Sequence, residues 1–162
     1  MIRLAIQAAL LKREPYVVMV VRPDGVADGA IVLAVVYALL VIPLVLDGIG
    51  VLTAAQVILY GLINWIVLSG LVYLIGKHLL EGDGSFPGTM AATSIGYPVL
   101  LAGILLAPFV SPLRAQLIAS VWLVATVWMA AQVALELPPA RAAAAAVGGW
   151  AAFVVVSLLF RF

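Results

Sequence analysis

Residues 29–46 read GAIVLAVVYALLVIPLVL, a run without one charged side chain. As a helix rising about 1.5 Å per residue it is roughly 27 Å long, close to the thickness of a bilayer's hydrocarbon core. Four more uncharged runs follow, over 48–76, 84–113, 115–135 and 142–160. A charge at the centre of a membrane helix costs about 3 kcal/mol on insertion scales, so five such runs in succession point to lipid. An open sheet would leave unpaired backbone groups in that lipid. The expected fold is therefore an all-α integral membrane protein with five transmembrane helices, over about 29–46, 53–76, 90–110, 115–135 and 140–160.

Composition agrees. Of 162 residues, 67% are apolar and 9% charged, whereas a soluble domain carries about 25% charged residues. The net charge of +1 is too small to suggest a nucleic-acid partner, and no basic run of useful length occurs, so none is expected. Cysteine is absent, which removes disulfides, thiolate metal sites and cysteine nucleophiles.

Two regions stand apart within this plan, 1–28 and a membrane domain over 29–162. In the first, Ile2, Ala5, Ile6, Ala9 and Leu10 recur at helical spacing, with Arg3, Gln7 and Lys12 elsewhere on the turn. Lys12-Arg13-Glu14 closes the apolar run without a small-residue cleavage pattern, so the segment reads as retained and not as a cleaved leader. Pro15 ends the pattern, and 16–21 is too short to span. An amphipathic interfacial segment fits both pieces. Pro43 and Pro98 each remove an intrahelical donor and predict kinks in the first and third spans.

Orientation follows from the cations. With five spans, Arg3, Lys12, Arg13, Arg22, Lys77 and Arg141 share one side, while Arg114 and Arg161 share the other. The bias places the N-terminus in the cytoplasm and the C-terminus outside.

Few polar side chains fall at depth. Asn64 and Thr126 lie near the midplane, Ser94 and Gln132 nearer the cytoplasmic side and Gln56 nearer the other. None is ionisable, and a proton or ion path ordinarily needs an intramembrane Asp, Glu, His, Lys or Arg. Asn64 is expected to hydrogen-bond across a helix interface. Trp65, Trp128 and Trp150 fall near the middle of their spans, where a buried indole needs an acceptor; they suit helix packing or an aromatic pocket for a lipid tail, quinone or pigment. In the fifth span Ala144, Gly148 and Ala152, flanked by Ala145 and Gly149, form a surface that admits close helix approach.

The link 76–89, GKHLLEGDGSFPGT, is the one connection long enough to be a surface. Lys77, His78, Glu81 and Asp83 make it a candidate cytoplasmic docking loop. His78 and Glu81 alone make a poor metal site, and the glycines do not match a phosphate loop. Gly82-Asp83-Gly84 reads as a turn, with Ser85 or Thr89 capping the third span. With one histidine, no cysteine and no paired carboxylates, the sequence offers no catalytic set, no metal site and no cofactor site.

Several of these residues also carry a likeness. Trp65, the 73–76 exit of the second span and the glycine-rich link through Gly84 resemble the bacterial branch of the YIP family, the Ypt/Rab-interacting five-span membrane proteins. So do Gly96-Tyr97-Pro98, Trp122, the 132–135 stretch and Arg141-Ala142. The resemblance covers about 29–150 and implies five helices and a cytoplasmic N-terminus; for eukaryotic members it implies non-enzymatic roles in vesicle traffic, through small GTPases and partner membrane proteins, while the bacterial branch implies no settled biochemical activity. For this branch it implies a bacterial cytoplasmic membrane. Before the first span the chain has only Glu14-Pro15-Tyr16 where eukaryotic members place an Asp-Leu-Tyr-Gly-Pro type motif, so no small-GTPase contact carries over. Pro98 also directly follows Tyr97, where the bacterial forms place proline a few residues later. The expected function is a membrane scaffold or adaptor contacting lipids and other integral membrane proteins, with Asn64, Trp65, Tyr97, Trp128, Gly148, Gly149 and Trp150 as contact candidates. An accessory subunit of a respiratory, photosynthetic or transport complex is the alternative, and a small transporter or channel a third reading.

Overall fold

In the computed structural model, which describes residues 2–160, the chain opens with two short helices, α1 (Ile2–Ala9) and α2 (Arg13–Val21). Five membrane-length helical segments follow, and no strand occurs among the described residues. The first is α3 (Gly25–Leu46). The second is α4 (Val51–Leu74), which runs on through a wider π turn, Ile75–Leu79. In the third, α5 (Phe86–Ser94) is followed by a 3-10 turn, Tyr97–Leu100, and α6 (Leu101–Leu106). The fourth is α7 (Pro112–Ala134) and the fifth α8 (Pro139–Phe160). Arg161 lies outside the described residues.

The first span starts earlier than its uncharged run because Asp28 does not stand as a free charge. Arg22 Nη1 lies 2.6 Å from Asp28 Oδ2, and a carboxylate in the first turn of a helix also meets the positive end of its dipole. Pro43 sits inside α3, where the carbonyl of Pro43 still accepts from the Asp47 N–H at 3.0 Å. In the third span the helix does break. Ordinary α hydrogen bonding stops at Ser94, four residues before Pro98, where the ring would clash with the preceding turn.

Residues 2–21 are packed into the bundle. Ala8, Tyr16 and Met19 are fully buried against Ala91, Ala92, Ile95 and Ala130. Two side chains hold the C-terminal carbonyls of α1: Tyr16 Oη donates to Ala8 O at 2.9 Å, and Trp122 Nε1 donates to Ala9 O at 2.8 Å. A helix end near lipid needs such partners, because its last carbonyls have none of their own. The same helix leaves Ile2, Ile6 and Leu10 exposed on one stripe, which suits a helix resting at the acyl boundary.

Packing is lopsided. The core gathers toward the face that carries the 76–85 link, where α5 is the central element and 88–97 are all buried. Toward the Asp47 face, over 39–60, 101–118 and 151–159, the buried side chains among the described residues are those of Val41, Ala54 and Ala115. The link-bearing half is thus a tightly knit body, and the other half is splayed.

Candidate functional site

The interior polar groups meet between α4 and α5. Trp65, 2% exposed, directs its indole N–H at both Met90 O and Thr93 Oγ1, each 3.1 Å away. Thr93 Oγ1 donates to Met90 O at 3.1 Å and lies 2.7 Å from Ser69 Oγ. Its proton being committed, Thr93 accepts from both Ser69 and Trp65. Ser94 and Thr126 turn their hydroxyls back to Ala91 O and Leu123 O, at 2.7 and 2.8 Å. Among the described residues no buried side-chain nitrogen or oxygen lacks a partner. The cluster is therefore saturated by the chain itself.

Asn64, expected to bridge helices, has no hydrogen-bond partner among the described residues and is half-buried on the flank of α4. The adjacent Trp65 takes the inward position, and it finds the acceptors on α5. Tyr97 is buried, its ring centroid 6.5 Å from that of Tyr37. Trp128 donates from Nε1 to Pro139 O at 2.9 Å and ties α7 to the start of α8. Trp150, 38% exposed, faces outward. The three tryptophans singled out at mid-span thus do not converge on one pocket.

On α8 the inner stripe is Ala142, Ala145, Ala146 and Gly149. A Cβ on Gly149 would stand 2.5 Å from Val72 Cγ2 and 3.1 Å from Val72 N. At Gly148 the nearest atom would be Ile75 Cδ1 at 3.4 Å, an ordinary contact. Ala144 is exposed. Close approach to α4 therefore depends on Gly149, and the 144/148/152 stripe turns toward the outside.

The link is tied down more than a free docking loop. Lys77 Nζ donates to Gly84 O at 3.1 Å, the Asp83 N–H donates to Leu135 O at 3.1 Å, and the Gly82 N–H donates to Gly76 O at 2.9 Å. Gly84 lies on the Ala134 carbonyl so closely that any Cβ would collide with it. Arg141 reaches Leu80 O at 3.2 Å and Glu81 Oε2 at 3.4 Å. Ser85 caps α5, accepting from the Gly88 N–H at 3.2 Å. His78, Glu81 and Asp83 remain exposed, with the His78 ring edge-on to Tyr73 at 6.2 Å. No group of three His, Cys, Asp or Glu side chains among the described residues is placed to share a metal.

Two grooves border these elements. One, of about 650 Å³, runs between α2 and the α7–α8 link, with Val17, Val20 and Val21 on one wall and Gln132, Glu136 and Pro138 on the other. Arg13 also lines it, bringing a cation and a carboxylate to one largely apolar surface. The second, of about 560 Å³, opens between α3, α6 and α7 in the splayed half, lined by Tyr37, Leu44, Ile104, Gln116 and Ser120 among others. The α2 groove could not be read from sequence, because it is made by residues more than 100 positions apart. Comparison with protein-family models, curated proteins and solved structures finds no match for this chain.

Proposed function

We propose that this chain is a non-catalytic membrane adaptor of the YIP type, which works by contact with lipids and other integral membrane proteins. In this reading it resides in a bacterial cytoplasmic membrane, with the N-terminus and the 76–85 link in the cytoplasm and the C-terminus outside. The charge bias supports that orientation, since Lys77 and Arg141 meet at the link-bearing face and Arg114 lies near the start of α7.

One observation carries the proposal: where hydrogen-bonding capacity is spent. The buried indole and hydroxyls of Trp65, Ser69, Thr93, Ser94 and Thr126 are consumed within the chain. Asn64, left without a partner among the described residues, is half-buried on the flank of α4. A binding chemistry of this kind is directed outward, and the groove between α2 and the α7–α8 link offers it an apolar seat rimmed by Arg13 and Glu136.

The test is a photo-crosslinking amino acid at Val17 or Val21, both exposed on α2, compared with one at exposed Leu158 on α8. A discrete adduct with one membrane protein or lipid from α2, and none from α8, is the expected result. Absence of any adduct, together with solute flux through vesicles containing the purified protein, would replace the adaptor with a transporter.

A further inference from the structure

The outward surface of α4 is divided by chemistry. Leu52, Ala55, Leu59 and Ile66 are exposed and apolar; Thr53, Gln56 and Tyr60 are exposed and polar, and Asn64 continues them half-buried. At 3.6 residues per turn, the four polar positions fall within an arc of about 80°, beside the apolar arc and not interleaved with it. None of the four has a hydrogen-bond partner among the described residues. They extend about 17 Å along the helix, from its Asp47-side end to mid-membrane. Lipid tails offer nothing to bond, so such a strip needs water or another protein surface against it.

We propose that this strip is the seam of a parallel homodimer, in which α4 of one copy lies against α4 of a second. Two copies inserted the same way are related by an axis along the membrane normal, so each residue near that axis faces its own counterpart. That places a requirement on the side chains: each must be able to bond to itself. Gln56 and Asn64 carry amides that both donate and accept, and the hydroxyls of Thr53 and Tyr60 do the same. The strip holds no charged residue, so like does not repel like. Its spacings of three, four and four sum to eleven, the repeat of a right-handed helix pair. Nothing in this depends on the adaptor reading.

The absence of native cysteine makes the test direct. Single-cysteine variants Q56C, Y60C and N64C are compared with L59C and I66C, each full-length protein reconstituted at low density in phosphatidylcholine–phosphatidylglycerol vesicles and oxidised. Disulfide dimers should form at 56, 60 and 64 in at least tenfold higher yield than at 59 and 66. Adding Gln56→Leu and Asn64→Leu to Y60C should weaken dimerisation by about tenfold, for two modest interhelical bonds lost, while the thermal transition stays in place because neither residue is bonded within the chain. Equal yields at all five positions would overturn the seam. So would a single bleaching step per vesicle-bound spot, or rapid labelling of N64C by a water-soluble reagent, which would put water against the strip. Crosslinking of the strip to a different membrane protein in native membranes, in place of itself, would also overturn it.

Discussion

Gly149→Ala is the sharpest probe of how the bundle closes. The added Cβ would stand 2.5 Å from Val72 Cγ2, 3.1 Å from Val72 N and 3.2 Å from Val72 Cα. Valine is stiff at its first torsion and cannot swing far, and two of the three atoms are backbone, so α8 must move away from α4. Overpacking of this kind costs about 1–3 kcal/mol. Alanine regains about 1 kcal/mol of helix propensity over glycine, leaving a net loss of up to about 2 kcal/mol. Gly148→Ala is the matched control: its Cβ would meet Ile75 Cδ1 at 3.4 Å, so the propensity gain stands nearly alone and stability holds or rises. Unfolding by SDS titration from mixed micelles measures both. Val72→Ala should rescue Gly149→Ala in part, since it removes Cγ2 and leaves the backbone contacts. Equal stability of the two glycine variants would refute the close α4–α8 approach.

Three other outcomes are expected. Replacing both Tyr16 and Trp122 by Phe removes one of the two bonds to Ala8 O, which keeps the Leu11 N–H, and the side-chain bond to Ala9 O; at about 1 kcal/mol per bond, amide exchange in 2–10 should quicken roughly thirtyfold while α7 is unchanged. Thr93→Val leaves Ser69 without its buried acceptor and should cost about 1–3 kcal/mol, measured by the same SDS titration. Burial holds the Tyr16 hydroxyl well above the usual tyrosine range. Its contribution to stability is therefore complete below the unfolded tyrosine pKa of about 10 and is lost as the pH climbs through the higher folded value; ultraviolet titration should show Tyr16→Phe removing one late-ionising phenol.

The membrane plan was legible because charge is expensive in lipid and therefore sparse wherever helices cross. The helix of the first span begins before its uncharged run, at Gly25, with Arg22 paired to Asp28, and the second continues through the π turn to Leu79. Local signals also gave the Ser85 cap and the disruption before Pro98. The docking of α1 and α2 left no such trace. Its bonds join Ala9 to Trp122 across 113 positions, and no local periodicity encodes a contact at that distance. Asn64 misled for a related reason: an amide in mid-span needs a partner, but the sequence does not say whether that partner is in the same chain. Gly148 and Gly149 adjoin, so only the rotation of α8 decides which one meets Val72.

The claim on which the rest stands is a five-pass chain with the 76–85 link in the cytoplasm and the α3–α4 turn outside. Asp83→Cys and Gly48→Cys, made separately in the cysteine-free chain, place one thiol on each of these exposed turns. A membrane-impermeant maleimide applied to spheroplasts should label position 48 at once and position 83 only after the membrane is broken. Labelling of both from the same side would contradict the fold, and labelling of 83 alone in intact spheroplasts would invert the orientation.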